Sequence, residues 1–309
     1  MIISENLYRR ILERKKVLGS LRPLDKLQIQ RLKEEFLVEY VYNSTSIEGN
    51  TLSQNETRLV LTEGITIGGK SLREHLDVTN QKEAIEWIES FIKEKKEIRE
   101  SDILTLHRIT LKSISNYWAG RYKDSQNRIV GSKLKTTLPY KVSSEMNNLV
   151  YEINKNPKNY DIIEMAAFAH HELVRIHPFV DGNGRVARLL CNLILMMKGY
   201  PPITIRKVDR KKYFDCLEKA HFGDFKAFAD FIALRVEESL IIYINALTKT
   251  TKKNELLPLS DLSKETQHSQ EYLSLLARRG LLPATKIDGI WYSSREELEK
   301  YEQRIKKKG

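Results

Sequence analysis

The feature that most constrains this chain is a helical stripe that begins at a glycine-rich turn. After Gly184 the apolar residues Val186, Leu189, Leu190, Leu193, Ile194 and Met197 recur at three- and four-residue intervals, the period of one face of an α-helix. A stripe this continuous has to be buried, so its helix belongs inside a core. Arg185, Arg188 and Asn192 fall on a different face. The Asp181-Gly182-Asn183-Gly184 turn therefore opens a helix whose first amides lack intrahelical partners and sit at the positive end of the dipole, a setting that favours an anion.

Helical spacing extends through most of the chain before residue 250, as in Leu32, Phe36 and Tyr40 or Ala84, Ile85, Ile88 and Ile92. Ser53-Gln54-Asn55-Glu56 has the spacing of a capping box, which predicts a helix start just beyond Thr51 and a turn at Glu48-Gly49-Asn50. Tyr117 to Tyr140 breaks the pattern with Gly120, Gly131 and Pro139 around a β-prone run at Arg128-Ile129-Val130, and reads as a loop with a small hairpin. Helical periodicity returns near Ser143 and runs, with interruptions, to about Leu247. The polar segment Thr248 to Glu255 has the composition of a linker.

The expected organisation is a mainly α body over residues 1–247, a linker over 248–255 and a compact module over 256–309. With 309 residues there is room for one large domain and one small one. A content of 41% hydrophobic and 30% charged residues fits an ordinary globular chain. No apolar run reaches the ~20 residues of a membrane span, and the first residues lack a signal-peptide pattern, so the expectation is a cytoplasmic protein without a membrane partner. Cys191 and Cys216 both lie in apolar helical patterns and read as reduced thiols. The net charge of +11 favours anionic partners such as nucleotide or nucleic acid, while Lys306-Lys307-Lys308 reads as a solvated tail.

His177-Pro178-Phe179-Val180-Asp181-Gly182-Asn183-Gly184-Arg185-Val186-Ala187-Arg188 has the makings of a phosphate site. Glycines let a backbone approach a phosphate closely, and two arginines on the following turn add charge-assisted bonds. Asp181 is a hard carboxylate suited to Mg²⁺. His177, just before the turn, can take a proton from an attacking hydroxyl as a neutral imidazole. Each residue alone has a plain structural reading as a cap, a solvated charge or a satisfied loop histidine; together and in this order they favour the site. Other phosphate and metal signatures fit poorly. No Walker-type loop is present, and after His171-Glu172 the place of a second zinc-binding histidine is taken by Arg175.

The same run resembles the Fic motif, and every defined position of that motif is filled. The resemblance covers roughly residues 30–240, including the Ala166 to Ile176 helix and the Gly199-Tyr200-Pro201 exit. It implies a Fic-type helical bundle with a small β-hairpin flap, and an enzyme that transfers AMP from ATP, with Mg²⁺, to a Tyr, Ser or Thr hydroxyl of a target protein. By the resemblance, His177 is the general base and Asp181 holds the metal. Gly182, Asn183 and Gly184 line the anion hole, Arg185 contacts phosphates and Arg188 engages the γ-phosphate. Phe179 anchors the loop in the core. Ile129, Val130, Gly131 and Ser132 look like the flap that aligns a target segment by strand addition.

Ser44-Thr45-Ser46-Ile47-Glu48-Gly49 is similar to the family's inhibitory segment. Ser44 and Glu48 would carry that role, with Glu48 competing for Arg188. The family also includes members that use other phosphate-containing donors or remove AMP, and a homodimer is compatible with the resemblance. In residues 256–309, helical patterns at Leu257–Leu262 and Tyr272–Gly280, a hairpin at Ile287–Tyr292 and a helix from Ser294 to Tyr301 resemble a winged helix-turn-helix. That resemblance implies DNA as a partner, with Arg278 and Arg279 on phosphates. A DNA-binding regulator with a nucleotide-sensing body is the alternative reading.

Overall fold

Capping chemistry sets where the helices of the body begin. The computed structural model describes residues 2–21, 26–94, 97–129, 131–248, 256–287 and 289–306. Helices α1 (Glu5–Ser20) and α2 (Lys26–Ile47) lead into α3 (Gln54–Glu63) and α4 (Leu72–Lys93). At the start of α3 the Glu56 amide donates to Ser53 Oγ and the Ser53 amide donates to Glu56 Oε2, at 3.3 and 2.7 Å, the capping box expected from the spacing. Ser71 and Glu74 do the same for α4. Helices α5 (Glu100–Thr110), α6 (Pro139–Lys155), α7 (Ile162–Ile176), α8 (Asn183–Met197), α9 (Arg210–His221) and α10 (Phe225–Thr248) complete the body.

Helix α8 is the central element, packed against α7, α5, α4 and α2. Val186, Leu189, Leu190, Leu193 and Ile194 are all buried, each contributing roughly 1.5–3 kcal/mol of apolar transfer. The opposite face is buried too. Arg185 and Arg188 are only 3% exposed and Asn192 1%, so both guanidinium groups are enclosed by protein instead of being solvated. Asn192 bonds the backbone of Ile203 in both directions, at 3.0 and 2.7 Å. The chain start is anchored, because Glu164, which caps α7, also accepts the Ile3 amide at 3.0 Å.

The loop after α5 doubles back on itself, but among its described residues 121–138 no strand is formed. Side chains close it: Gln126 Nε2 donates to the Thr136 carbonyl at 3.0 Å, and Thr136 Oγ1 donates to the Asn127 carbonyl at 2.9 Å. Of the expected flap residues, Val130 lies outside the described residues, while Ser132 Oγ and the Lys133 amide both donate to Glu218 on α9, at 2.5 and 3.1 Å.

Residues 256–306 build a second core from Leu259, Leu262, Leu273, Leu276, Leu282, Trp291 and Leu298. Strand β1 (Leu256–Pro258) is followed by α11 (Leu259–Leu262), α12 (Gln270–Arg278), β2 (Thr285–Ile287), β3 (Ile290–Ser294) and α13 (Arg295–Lys306). The antiparallel order is β1-β3-β2, with Leu256 opposite Ser294 and Ile287 opposite Ile290. Residues 249–255 of the expected linker, Asp288 in the expected hairpin turn and residues 307–309 of the lysine tail lie outside the described residues. Helix α12 packs on α3 of the body, with Arg278 Nε 4.0 Å from Glu63 Oε2. Among the described residues no helix is long and apolar enough to cross a membrane, and both cysteines are free.

Candidate active site

Residues 177–182 form a tight loop between α7 and α8, and its backbone is held by contacts from α7, α8 and the 121–138 loop. His177 ends α7 in the left-handed region, φ 51°, with its amide donating to Leu173 O at 3.0 Å. A non-glycine residue in that region carries strain that its surroundings must hold. Asn183 reaches back to accept the Phe179 amide at 2.9 Å and donate to the Phe179 carbonyl at 2.8 Å. Its side chain is thus spent on closing the loop, leaving its backbone amide to line the cradle. Asn127 donates to the same Phe179 carbonyl at 2.8 Å, and the Lys123 amide donates to Pro178 O at 2.9 Å. Gly182, at φ 82°, caps α8 in a conformation that favours glycine.

The His177 ring is oriented by its Nδ1, 3.3 Å from the Val174 carbonyl. Since a carbonyl only accepts, Nδ1 carries the proton and Nε2 keeps its lone pair. Burial pushes this pKa down to about 4, nearby Lys123 adds to the depression, and the Val174 bond, Glu48 and Asp181 oppose it. The imidazole is therefore neutral near pH 7, in the form that can accept a proton. Lys123, itself buried, bonds Asn127 Oδ1 and Thr136 Oγ1 at 2.6 and 3.2 Å, and desolvation lowers its pKa to about 8.

Asp181 points one carboxylate oxygen at Arg73 Nη2, 2.5 Å away, and the other at Arg185 Nη2, 3.1 Å away, while accepting the Gly182 amide at 2.6 Å. Burial alone would raise its pKa, but Arg185, the Gly182 amide and Arg73 outweigh it and hold the carboxylate below its ordinary range. Arg185 also pairs with Asp77 on α4, whose own pKa is raised because burial outweighs the neighbouring arginines. An ionised carboxylate is the kind of ligand a hard divalent cation takes. The Arg73 partner is 60% exposed along its side chain, free to leave.

Arg188 donates through Nε to Ser44 Oγ at 3.1 Å and through Nη2 to the Ser44 carbonyl and Glu48 Oε1, at 2.9 and 2.8 Å. Its Nη1 is buried without a hydrogen-bond partner. Glu48 sits in the turn just after α2, and its carboxylate lies so close to Gly184 that a methyl group there would overlap it. The segment that the sequence pairs with Arg188 therefore does meet it.

His177, Asp181 to Arg185 and Arg188, with Ser44 and Glu48, are brought to one cradle, while Phe179, Val186 and Ala187 lie in the core behind it. The flap residues are tied to α9 at Ser132. Sequence reasoning missed Arg73, Asp77, His107, Lys123 and Asn127. Arg73 and Asp77 share one face of α4 at four-residue spacing, a weak signal; His107 stands in a mixed stretch with Thr105, Leu106, Arg108 and Ile109, where nothing singles it out. Histidines 171 and 221 contact each other at 3.0 Å and Arg175 pairs with Glu172 and Glu145. No cluster of three metal-ligating side chains occurs among the described residues.

A family model described as Fic/DOC family matches residues 97–195. The protein adenylyltransferase fic-1 of Caenorhabditis elegans is 38% identical over 231 residues, 74% of this chain and 45% of the relative. A solved structure of Fic-1 from C. elegans matches with a TM-score of 0.72 and 34% identity, covering 79% of this chain and 74% of that one. A Fic domain containing signaling protein from Bacteroides thetaiotaomicron matches with a TM-score of 0.73 and 29% identity, covering 80% and 99%. The chain spans about half the length of the curated relatives it matches.

Proposed function

The chain belongs to the Fic/DOC family, and from that premise we propose that it transfers AMP from ATP to a hydroxyl side chain of a target protein, releasing pyrophosphate, with Glu48 restraining the reaction. The observation that carries this reading is the convergence in one cradle of a neutral His177 with a free Nε2, the open amides at the start of α8, and two buried arginines.

The amides of Asn183 and Gly184 and the Arg185 guanidinium bind phosphate oxygens, and Arg188, with Nη1 unpartnered, takes the terminal phosphate. Asp181 is the residue that would hold Mg²⁺, which when bound offsets charge on the phosphate chain. His177 Nε2 accepts the proton of the incoming hydroxyl as its oxygen bonds to the α-phosphorus; the bond from that phosphorus to the bridging oxygen breaks, and pyrophosphate leaves. Positioning and charge stabilisation supply most of the acceleration in such transfers. Glu48 occupies Arg188 through the 2.8 Å contact and so keeps the terminal phosphate from its seat. Loop residues Ile129 to Ser132 present the target segment.

Incubation of the parent, Glu48→Gly and His177→Ala proteins with labelled ATP tests this. Labelling is expected to rise in Glu48→Gly and to vanish in His177→Ala. Equal labelling of all three overturns both assignments.

A further inference from the structure

A buried imidazole that belongs to no motif backs the catalytic loop. His107 on α5 is fully buried and makes three contacts that lock it. Its Nδ1 accepts the Gly120 amide at 3.0 Å. Its Nε2 stands 3.0 Å from the carbonyl oxygen of Asp181. Its ring stacks on Phe179 with centroids 3.6 Å apart and planes 7° from parallel. It also walls the loop at Gly182, where an added methyl group would lie 3.4 Å from Cδ2.

These partners leave the ring one protonation state. A backbone amide can only donate and a carbonyl can only accept, so Nδ1 is bare and Nε2 carries the hydrogen. An imidazolium would turn a second N–H toward the Gly120 amide. Burial, which pushes this pKa down to about 4, agrees with a neutral ring.

The Asp181 carbonyl precedes the cap of α8 and so has no place in the helix ladder. Its direction sets the plane of the peptide joining Asp181 to Gly182. That peptide in turn orients both the Asp181 carboxylate and the first open amides. We propose that His107 is a positioning residue for the catalytic loop: its Nε2–H clamps the Asp181 backbone so that carboxylate and amides are preset for a metal-bound triphosphate. The identity of that ligand rests on the functional reading above; the clamp itself does not.

Three full-length variants in the Glu48→Gly background separate the contacts. His107→Gln keeps a side-chain amide N–H able to reach the Asp181 carbonyl; His107→Asn keeps an acceptor for Gly120 but falls short of Asp181; His107→Phe keeps only the stack. Mn²⁺ binding in the presence of ATP, followed by electron paramagnetic resonance, is the main readout, with KM and kcat measured alongside and unfolding midpoints as the control. Asn and Phe are expected to weaken Mn²⁺ binding roughly 10- to 100-fold, as loss of a partner that orients a metal ligand does, with Gln recovering most of the loss. Parent-like binding by Asn and Phe overturns the proposal, and so does a loss that Gln shares in full.

Nitrogen-15 NMR of the histidine rings keeps the test independent of variant folding. A bare Nδ1 and protonated Nε2 on His107 at about pH 8, above the ordinary histidine pKa, is expected. An Nδ1–H tautomer with a bare Nε2 there overturns the clamp. Failure of the Glu48→Gly protein itself to bind Mn²⁺ with ATP would instead count against the functional reading, with the NMR result left standing.

Discussion

Two buried arginines three residues apart on α8 each meet a carboxylate, and the two carboxylates are held in opposite ways. Asp77, the more enclosed carboxylate on Arg185, projects from the second turn of α4 with its side chain 14% exposed. Glu48, the partner of Arg188, hangs from a turn beside Gly49, which sits at φ 105°, with its side chain 38% exposed. The chemistry of the pairs is the same; the backbone behind them is not. A carboxylate on a packed helix can leave its arginine only if the helix moves. A carboxylate on a turn can leave by rotating, and Arg188 still keeps the Ser44 carbonyl and hydroxyl. The first pair therefore belongs to the fold, while the second can open without moving a helix.

Stability separates them most strongly. Asp77→Ala takes from a buried arginine the more enclosed of its two carboxylates and is expected to cost about 3 kcal/mol in urea unfolding. Glu48→Gly also takes a counter-charge from a buried arginine, but Arg188 keeps the Ser44 carbonyl and hydroxyl and the lost carboxylate is 38% exposed, so the expected cost is smaller, about 1–2 kcal/mol. Equal costs would break the comparison. Activity then sharpens it in the opposite sense: Glu48→Gly should raise the single-turnover labelling rate about tenfold, the equivalent of ~1.4 kcal/mol, while adding Asp77→Ala should bring it back down. A double variant as fast as Glu48→Gly would show that Asp77 does not set Arg185.

A further contrast concerns pH. Burial holds the pKa values of His107 and His177 down to about 4 in the folded state, against an ordinary value of about 6.5 in the unfolded chain. Between those values the unfolded state binds more protons, so the stability that neutral burial contributes is complete above about pH 6.5 and is lost as pH falls toward 4. Urea midpoints at about pH 7 and about pH 5 should show the loss, and His107→Phe should reduce the difference.

Much of this was readable along the chain. The stripe from Val186 to Met197 announced a buried helix, Ser53 and Glu56 announced the start of α3, and the run from His177 to Arg188 carried the cradle. Glu48 was readable only beside that run, since a glutamate after a helix says little alone. Arg73, Asp77, His107, Lys123 and Asn127 were not readable, because they come from segments 50 or more residues away from the loop they hold and form no local pattern of their own. The doubling back of the loop at Thr136 was anticipated as a hairpin, but side-chain bonds to Gln126 and Asn127 close it where ladder bonds were expected. The third strand, β1, was missed because three residues ending in proline show no alternation.

By itself the sequence determined which residues could do chemistry, because glycine conformations, helix-start amides and side-chain charges are properties of a short run of covalent neighbours. Only the tertiary structure decided how those groups are set. Tautomers, counter-ions and the direction of a single carbonyl depend on α4, α5 and the 121–138 loop closing around α8, and hydrogen bonds and desolvation act over a few ångströms of space irrespective of distance along the chain.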